Sequence, residues 1–213
     1  GPEGQPAELA ARRMTALLRA ALLRREPGRP LPSVLVLLNK TDRLLHGLPS
    51  RAATTERLDR ALELVCELLP VIRQPGLTAA VCPVTVGRFG DQEQGVVDPE
   101  TVRPYWLHKP VLFTAFHRLG VELVRLDAEL GRMQERHQRV RTELTRLTGD
   151  RMGRLFHRGE IRRLTDEQGA LWQAWNAVNE RRRAVGYWRS WLREEVEELP
   201  VFQGGRRLRA EEL

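Results

Sequence analysis

The sequence predicts an α/β unit with a partial parallel sheet over residues 8–130, followed by an all-α antiparallel helical hairpin, a coiled coil over residues 131–199. Three observations carry that expectation. Two short apolar runs, Val34–Leu38 and Leu77–Gly87, each follow a segment of helical period, an order that favours a parallel βαβ crossover. A seam of Leu119, Leu123, Leu126, Leu130, Met133, His137, Val140, Leu144 and Leu147 then advances in alternating steps of four and three, the spacing that winds helices together. Beyond a glycine- and arginine-rich connector, residues 171–199 carry a similar stripe, and two long helices so joined fold back as an antiparallel pair.

Taken in order, Gly1-Pro2 reads as a protease scar, so residues 1–7 are expected to be a tag remnant or linker. Residues 8–25 place Leu9, Met14, Leu17, Leu18, Ala21 and Leu22 at helical spacing, and Pro27, Gly28 and Pro30 end the pattern. Val34–Leu38 is short and continuously apolar, as in a strand buried on both faces. Residues 55–69 form a second helix on Leu58, Leu62, Val65 and Leu69, with Thr54 or Thr55 as N-cap and Pro70 near its end. The run from Leu77 to Gly87 is a second buried strand. Pro83 within it lacks a ladder donor and suits a sheet edge.

Residues 88–108 are a long polar loop, and both a lid or partner-contact segment and an insertion without fixed structure fit it. Pro110 opens a helix in its first turn, and Val111–Leu119 is apolar enough to pack on the sheet before the seam leaves it. His137 reads as a polar break in the seam. Residues 149–164 look like a connector, and Thr165-Asp166-Glu167-Gln168 has the spacing of a capping box for a helix reaching Leu199. Trp172, Trp175, Trp188 and Trp191 suit core or seam packing better than an interaction patch or a membrane interface. Residues 200–213 read as a flexible tail.

Composition narrows the function classes. The hydrophobic share of 41% and charged share of 30% suit a folded protein with long exposed helices. The net charge of +7 invites nucleic acid, yet the arginines alternate with acids, as in Arg193-Glu194-Glu195, which is a solvated helix face rather than a phosphate track. Cys66 and Cys82 lie in apolar runs, as reduced thiols do, and no run is long enough to span a bilayer; a cytoplasmic location is the expectation. The five histidines show no metal-ligand spacing, and no G-x-S-x-G occurs.

The first apolar run breaks into Asn39-Lys40-Thr41-Asp42, and polar residues at the carboxyl end of a parallel strand stand where open α/β sheets bind ligands. This stretch resembles the NKxD guanine-recognition motif of P-loop GTPases. The resemblance implies that Asp42 accepts hydrogen bonds from guanine N1–H and N2–H₂, that Asn39 meets O6 or N7, and that Lys40 lays its stem across the base. It also implies a second wall, a Ser-Ala-Lys-like loop after the next strand, here Thr85-Val86-Gly87, whose backbone N–H reaches guanine O6. Thr85 suits the serine place and Gly87 allows close approach, while Val86 departs from the usual alanine. The chain uses 33 arginines and only two lysines, Lys40 and Lys109, so a lysine in the motif marks a place where arginine would not serve.

The resemblance covers only the second half of a G domain. No Gly-Lys pair exists for a GxxxxGK[ST] phosphate loop, and no DxxG precedes the motif; Asp150–Gly153 matches the letters but lies in the helical region. The first half is then absent from an excised piece, supplied by another chain, or lost in a degenerate relative, and the intact motif favours the first. The implied cofactor is GTP or GDP, with Mg²⁺ only alongside the missing half, and no hydrolysis is expected from this chain alone. The layout looks like translation-factor-class or dynamin-like GTPases with helical appendages, in which a hairpin couples nucleotide state to a protein partner or to self-association. The alternative is a non-catalytic coiled-coil scaffold on a degenerate GTPase-like base.

Overall fold

The structure, a computed structural model, describes residues 5–24, 32–41, 44, 50–85, 104–149 and 156–213. The chain is mostly helical, with one small mixed sheet and two long helices that pack as a hairpin. It divides into two compact units, Gly1–His117 with Leu192–Leu213, and Arg118–Trp191. No helix of the described residues is long and apolar enough to cross a membrane.

In the first unit α1 (Gln5–Leu23) precedes β1 (Ser33–Leu38), α2 (Arg51–Leu68), a 3₁₀ turn (Pro70–Arg73) and β2 (Thr78–Pro83). The first turns of α3 (Lys109–Thr148) and the last turn of α4 (Arg158–Val196) belong here too, followed by β3 (Val201–Gln203) and β4 (Arg206–Arg207). The sheet order is β1-β2-β3-β4. β1 and β2 run parallel with Ser33 opposite Thr78 and Leu38 opposite Pro83, so α2 is the crossover the sequence calls for.

Strand alternation builds the core. Ala79 and Val81 of β2, with Val34, Val36 and Leu38 of β1, turn toward Leu62, Val65 and Cys66 of α2, and Ala11 of α1 and Phe202 of β3 close the cluster. β1 is not buried on both faces as its apolar run suggests. Among the described residues it is an edge strand, and Leu37, which alternation sends to the other face, is 53% exposed.

α2 begins earlier than its pattern indicates. Ser50, in extended conformation, accepts a hydrogen bond from Ala53 N at 3.2 Å, so it is the N-cap in place of Thr54 or Thr55. Thr54 lies inside the helix and donates its hydroxyl to Ser50 O. The helix extends over Arg51–Thr54 because nothing there breaks it.

Residues 200–213, where the sequence suggests a loose tail, add the hairpin of β3 and β4 to β2. Ala79 pairs with Phe202, and Phe202 with Arg207. The hairpin turns on Gly204 and Gly205, whose φ values of 58° and 85° fit the tight turns that match strand twist. A Cβ on Gly205 would also come within 2.9 Å of the Arg73 side chain. Among the described residues β3 pairs with β2 only at Thr78–Ala80 and no strand lies beside Pro83 on that side, which is how an inner strand accommodates it.

In the second unit the arms of α3 and α4 run antiparallel: Glu122 meets Arg181, Asp127 meets Arg182, and Arg136 meets Glu167. These exposed pairs are worth at most about 1 kcal/mol each and chiefly set register. Val140, Leu147 and Leu164 form a buried cluster with Leu144, Ile161 and Leu171 against it, as the seam requires. His137 does interrupt the seam, 3.4 Å from Gln168 Nε2. α4 starts at Arg158 rather than at a capping box. Thr165 sits inside it and donates to Ile161 O at 2.8 Å, because the core needs Ile161 and Leu164 in helical register. The two compact units divide after His117, within α3, and Leu192–Leu213 belong to the first.

Candidate nucleotide site

The end of β1 is tied to the end of β2 by a small set of contacts centred on Thr41. Its N–H lies 3.4 Å from Val84 O, and its hydroxyl lies 2.8 Å from Leu38 O and 3.3 Å from Val84 O. Val84 N returns a bond to Leu38 O at 2.8 Å. Thr41 is only 2% exposed, so these are bonds made out of water, where leaving a group unpaired is expensive.

Just before Thr41 the chain turns sharply. Lys40 has φ of 60°, a left-handed conformation that a lysine adopts at a cost and that marks an over-determined turn. Asn39 Oδ1 accepts from Lys40 N at 2.8 Å and holds that turn. That bond takes one of the two lone pairs of Asn39 Oδ1, and its Nδ2 makes no hydrogen bond to a described residue. Both Asn39 and Lys40 are exposed.

On the neighbouring strand Thr85 forms an isolated antiparallel bridge with Tyr105. Tyr105 N donates to Thr85 O at 2.8 Å, and Thr85 N to Tyr105 O at 3.3 Å. Of the expected site residues, Asn39, Lys40 and Thr85 therefore come to the carboxyl ends of adjacent parallel strands, linked through Thr41 and Val84. Asp42, Val86 and Gly87 lie outside the described residues, as does most of the polar loop 88–108.

Sequence reasoning gave no role to Thr41, Tyr105 or Lys109. Lys109 is 4% exposed, and its ammonium meets Glu195 O at 2.7 Å, Glu195 Oε2 at 3.0 Å and Glu198 Oε2 at 2.9 Å. The signal was its rarity: the second lysine of an arginine-rich chain has three donors for three acceptors.

Burial acts against the Lys109 charge, but the hydrogen bonds to Glu198 and Glu195 outweigh it, and the group is held above the ordinary lysine value. Burial pushes the Cys82 thiol up to about 11 despite the nearby Lys109, and it raises Cys66 and Tyr105 as well. A group whose folded pKa exceeds its unfolded one contributes stability that is whole below the unfolded value and lost as pH rises through the folded one. For Cys82 that loss starts near its ordinary 9.0 and runs to about 11; Lys109 adds to it above 10.5. The urea midpoint is therefore expected to hold steady from about pH 6 to 8.5 and to fall between about pH 9 and 11, a decline that Cys82→Ala should make shallower. A flat midpoint across that range overturns the assignment.

The hairpin carries a second feature. Trp172 and Trp175 stack at 5.4 Å, beside Met133, Gln134, His137 and Leu171, around a cleft of about 270 Å³. Tyr187, Trp188 and Trp191 meet edge to face at 5.4 and 6.2 Å. Trp172, Trp188 and Trp191 are each more than half exposed, against the expectation of core or seam packing. No protein-family model, curated protein or solved structure matches the chain, so function is argued from the geometry of these sites.

Proposed function

We propose that this chain is the base-recognition half of a guanine-nucleotide-binding, P-loop GTPase-like domain, with a helical hairpin that couples nucleotide state to a protein partner or to assembly. The observation that carries this reading is the Thr41–Val84 junction, which sets Asn39-Lys40 and Thr85 side by side at the ends of two parallel strands. With Asn39 Oδ1 accepting from Lys40 N, its Nδ2 supplies the donor that a ligand acceptor would meet. Guanine offers N7 and O6, both acceptors, at that edge, whereas adenine would oppose the amide with its own N6–H₂ donor. Thr85 N–H is engaged by Tyr105 O, so the backbone donors for O6 are those of Val86 and Gly87. Asp42 supplies the acceptors for N1–H and N2–H₂.

Two further observations support a partial domain. The outer edge of β1 pairs with no strand among the described residues, and its unpaired backbone groups could take a further strand. The sequence also contains no Gly-Lys pair to cradle phosphates, so nucleotide held by this chain alone is held by its base and is not hydrolysed. The exposed Trp188, Trp191 and Tyr187 suit a hairpin that binds a partner, in the coupling role and in a scaffold alike.

Titration with fluorescent GDP, GTP and ATP analogues tests the reading. GDP and GTP analogues should bind alike and weakly, the ATP analogue at least about tenfold more weakly, and Mg²⁺ should change nothing, because base hydrogen bonds alone discriminate. Equal binding of all three, or none, sinks the proposal.

A further inference from the structure

We infer that Lys109 is a positioning residue of the proposed base pocket: anchored on the end of α4, it holds Thr85 in place through Trp106 and Tyr105. The inference rests on the reading of that pocket given above.

Thr85 opens the second wall of the pocket, and its N–H and C=O each bond to Tyr105. Tyr105 is fixed in turn, its ring stacked on Trp106 at 4.9 Å with an interplanar angle of 10°. Trp106 has φ of 53°, a left-handed conformation that a bulky residue keeps only where its surroundings over-determine it. Its carbonyl accepts from Lys109 N at 3.1 Å and lies 4.0 Å from Cys82 Sγ. Lys109 then closes the chain of contacts with its three bonds to Glu195 and Glu198. Just beyond Glu198, Pro200 O accepts from Val81 N at 3.0 Å, which returns the path to β2, the strand from which Thr85 extends. The ring therefore runs from Thr85 through Tyr105, Trp106, Lys109, the end of α4 and Pro200 back to β2, all within one compact unit. Freeing the Lys109 side chain from Glu195 and Glu198 should therefore loosen the Trp106 turn and, through Tyr105, the bonds of Thr85. Arginine would not substitute, because a planar fork cannot meet three converging acceptors in so closed a site.

The test uses the full chain with Lys109→Met, Lys109→Arg and Glu198→Gln, read by amide hydrogen exchange and by GDP- and ADP-analogue binding. In Lys109→Met the amides of Thr85 and Tyr105 should exchange at least about tenfold faster, while those of the β1–β2 ladder keep their protection. The GDP-over-ADP preference should fall in step, and Lys109→Arg should not restore it. If Lys109 only staples helix ends, protection is lost at Val81 while Thr85 and Tyr105 are unchanged, and the inference is overturned. Should Lys109→Met fail to fold, Glu198→Gln, which keeps the Glu195 bonds, carries the same test; unchanged exchange at Thr85 and Tyr105 then overturns it. A wild-type chain with no guanine preference removes the base-pocket reading and the inference with it. A wild-type preference that survives intact in folded Lys109→Met removes the inference and leaves the reading standing.

Discussion

Asp42→Asn is expected to cost the chain about 100-fold in affinity for a fluorescent GDP analogue and to leave ATP-analogue binding unchanged. A carboxylate presents acceptors to both N1–H and N2–H₂ of guanine, and bonds to a charged partner contribute about 1.5–3 kcal/mol each. The amide keeps one acceptor and replaces the other with a donor, so one bond is lost and a donor faces a donor. A loss near 3 kcal/mol is about two decades in the dissociation constant. Adenine has no N2–H₂ and no proton on N1, so its binding never drew on Asp42 and acts as the internal control. A GDP-to-ATP ratio that survives the substitution removes the assignment, even if absolute affinities change. The test includes a melting curve, which should match wild type.

How much of this was legible in the sequence depends on whether the cause was local. β1 and β2 were legible because each is a short apolar run broken by turn residues, and α2 because its leucines repeat every three or four residues. β3 and β4 were not: three and two residues carry no period, and what makes them strands is the open edge of β2. Only the Gly204-Gly205 pair hinted at a turn. The seam of the hairpin was legible from Leu119 onward, but the stripe of α4 misled at Trp188. That helix serves two units, so Leu192 and Val196 are buried in the first while Trp188 stands exposed in the second. Lys109 was legible as an oddity; its partners Glu195 and Glu198 stand 86 and more residues away, beyond any local pattern. In the motif itself the letters pointed to Asn39, Lys40 and Asp42, and the third letter read as variable.

That third letter gives the other large effect. Thr41→Val keeps the volume and the β-branch of a residue that is 2% exposed, so packing is nearly unchanged and the hydroxyl alone is tested. Without it, Leu38 O and Val84 O each lose a bond, while Val84 N–H to Leu38 O and Thr41 N–H to Val84 O remain. Both carbonyls therefore keep one partner, and the expected loss in unfolding free energy is modest, about 1–2 kcal/mol by urea titration. The functional loss should be of similar size. Lys40 holds a left-handed turn immediately before Thr41, and Asn39 grips that same turn through its Oδ1. Once the anchor loosens, the turn can relax toward ordinary backbone, and Asn39 and Lys40 leave the rim they share with Thr85. GDP-analogue affinity should fall about tenfold or more, with Thr41→Ser restoring most of it, since serine supplies the same hydroxyl. If Thr41→Val binds the GDP analogue as wild type does, the junction is only a strand-end tie. The geometry that carries the nucleotide reading would then have lost its main support.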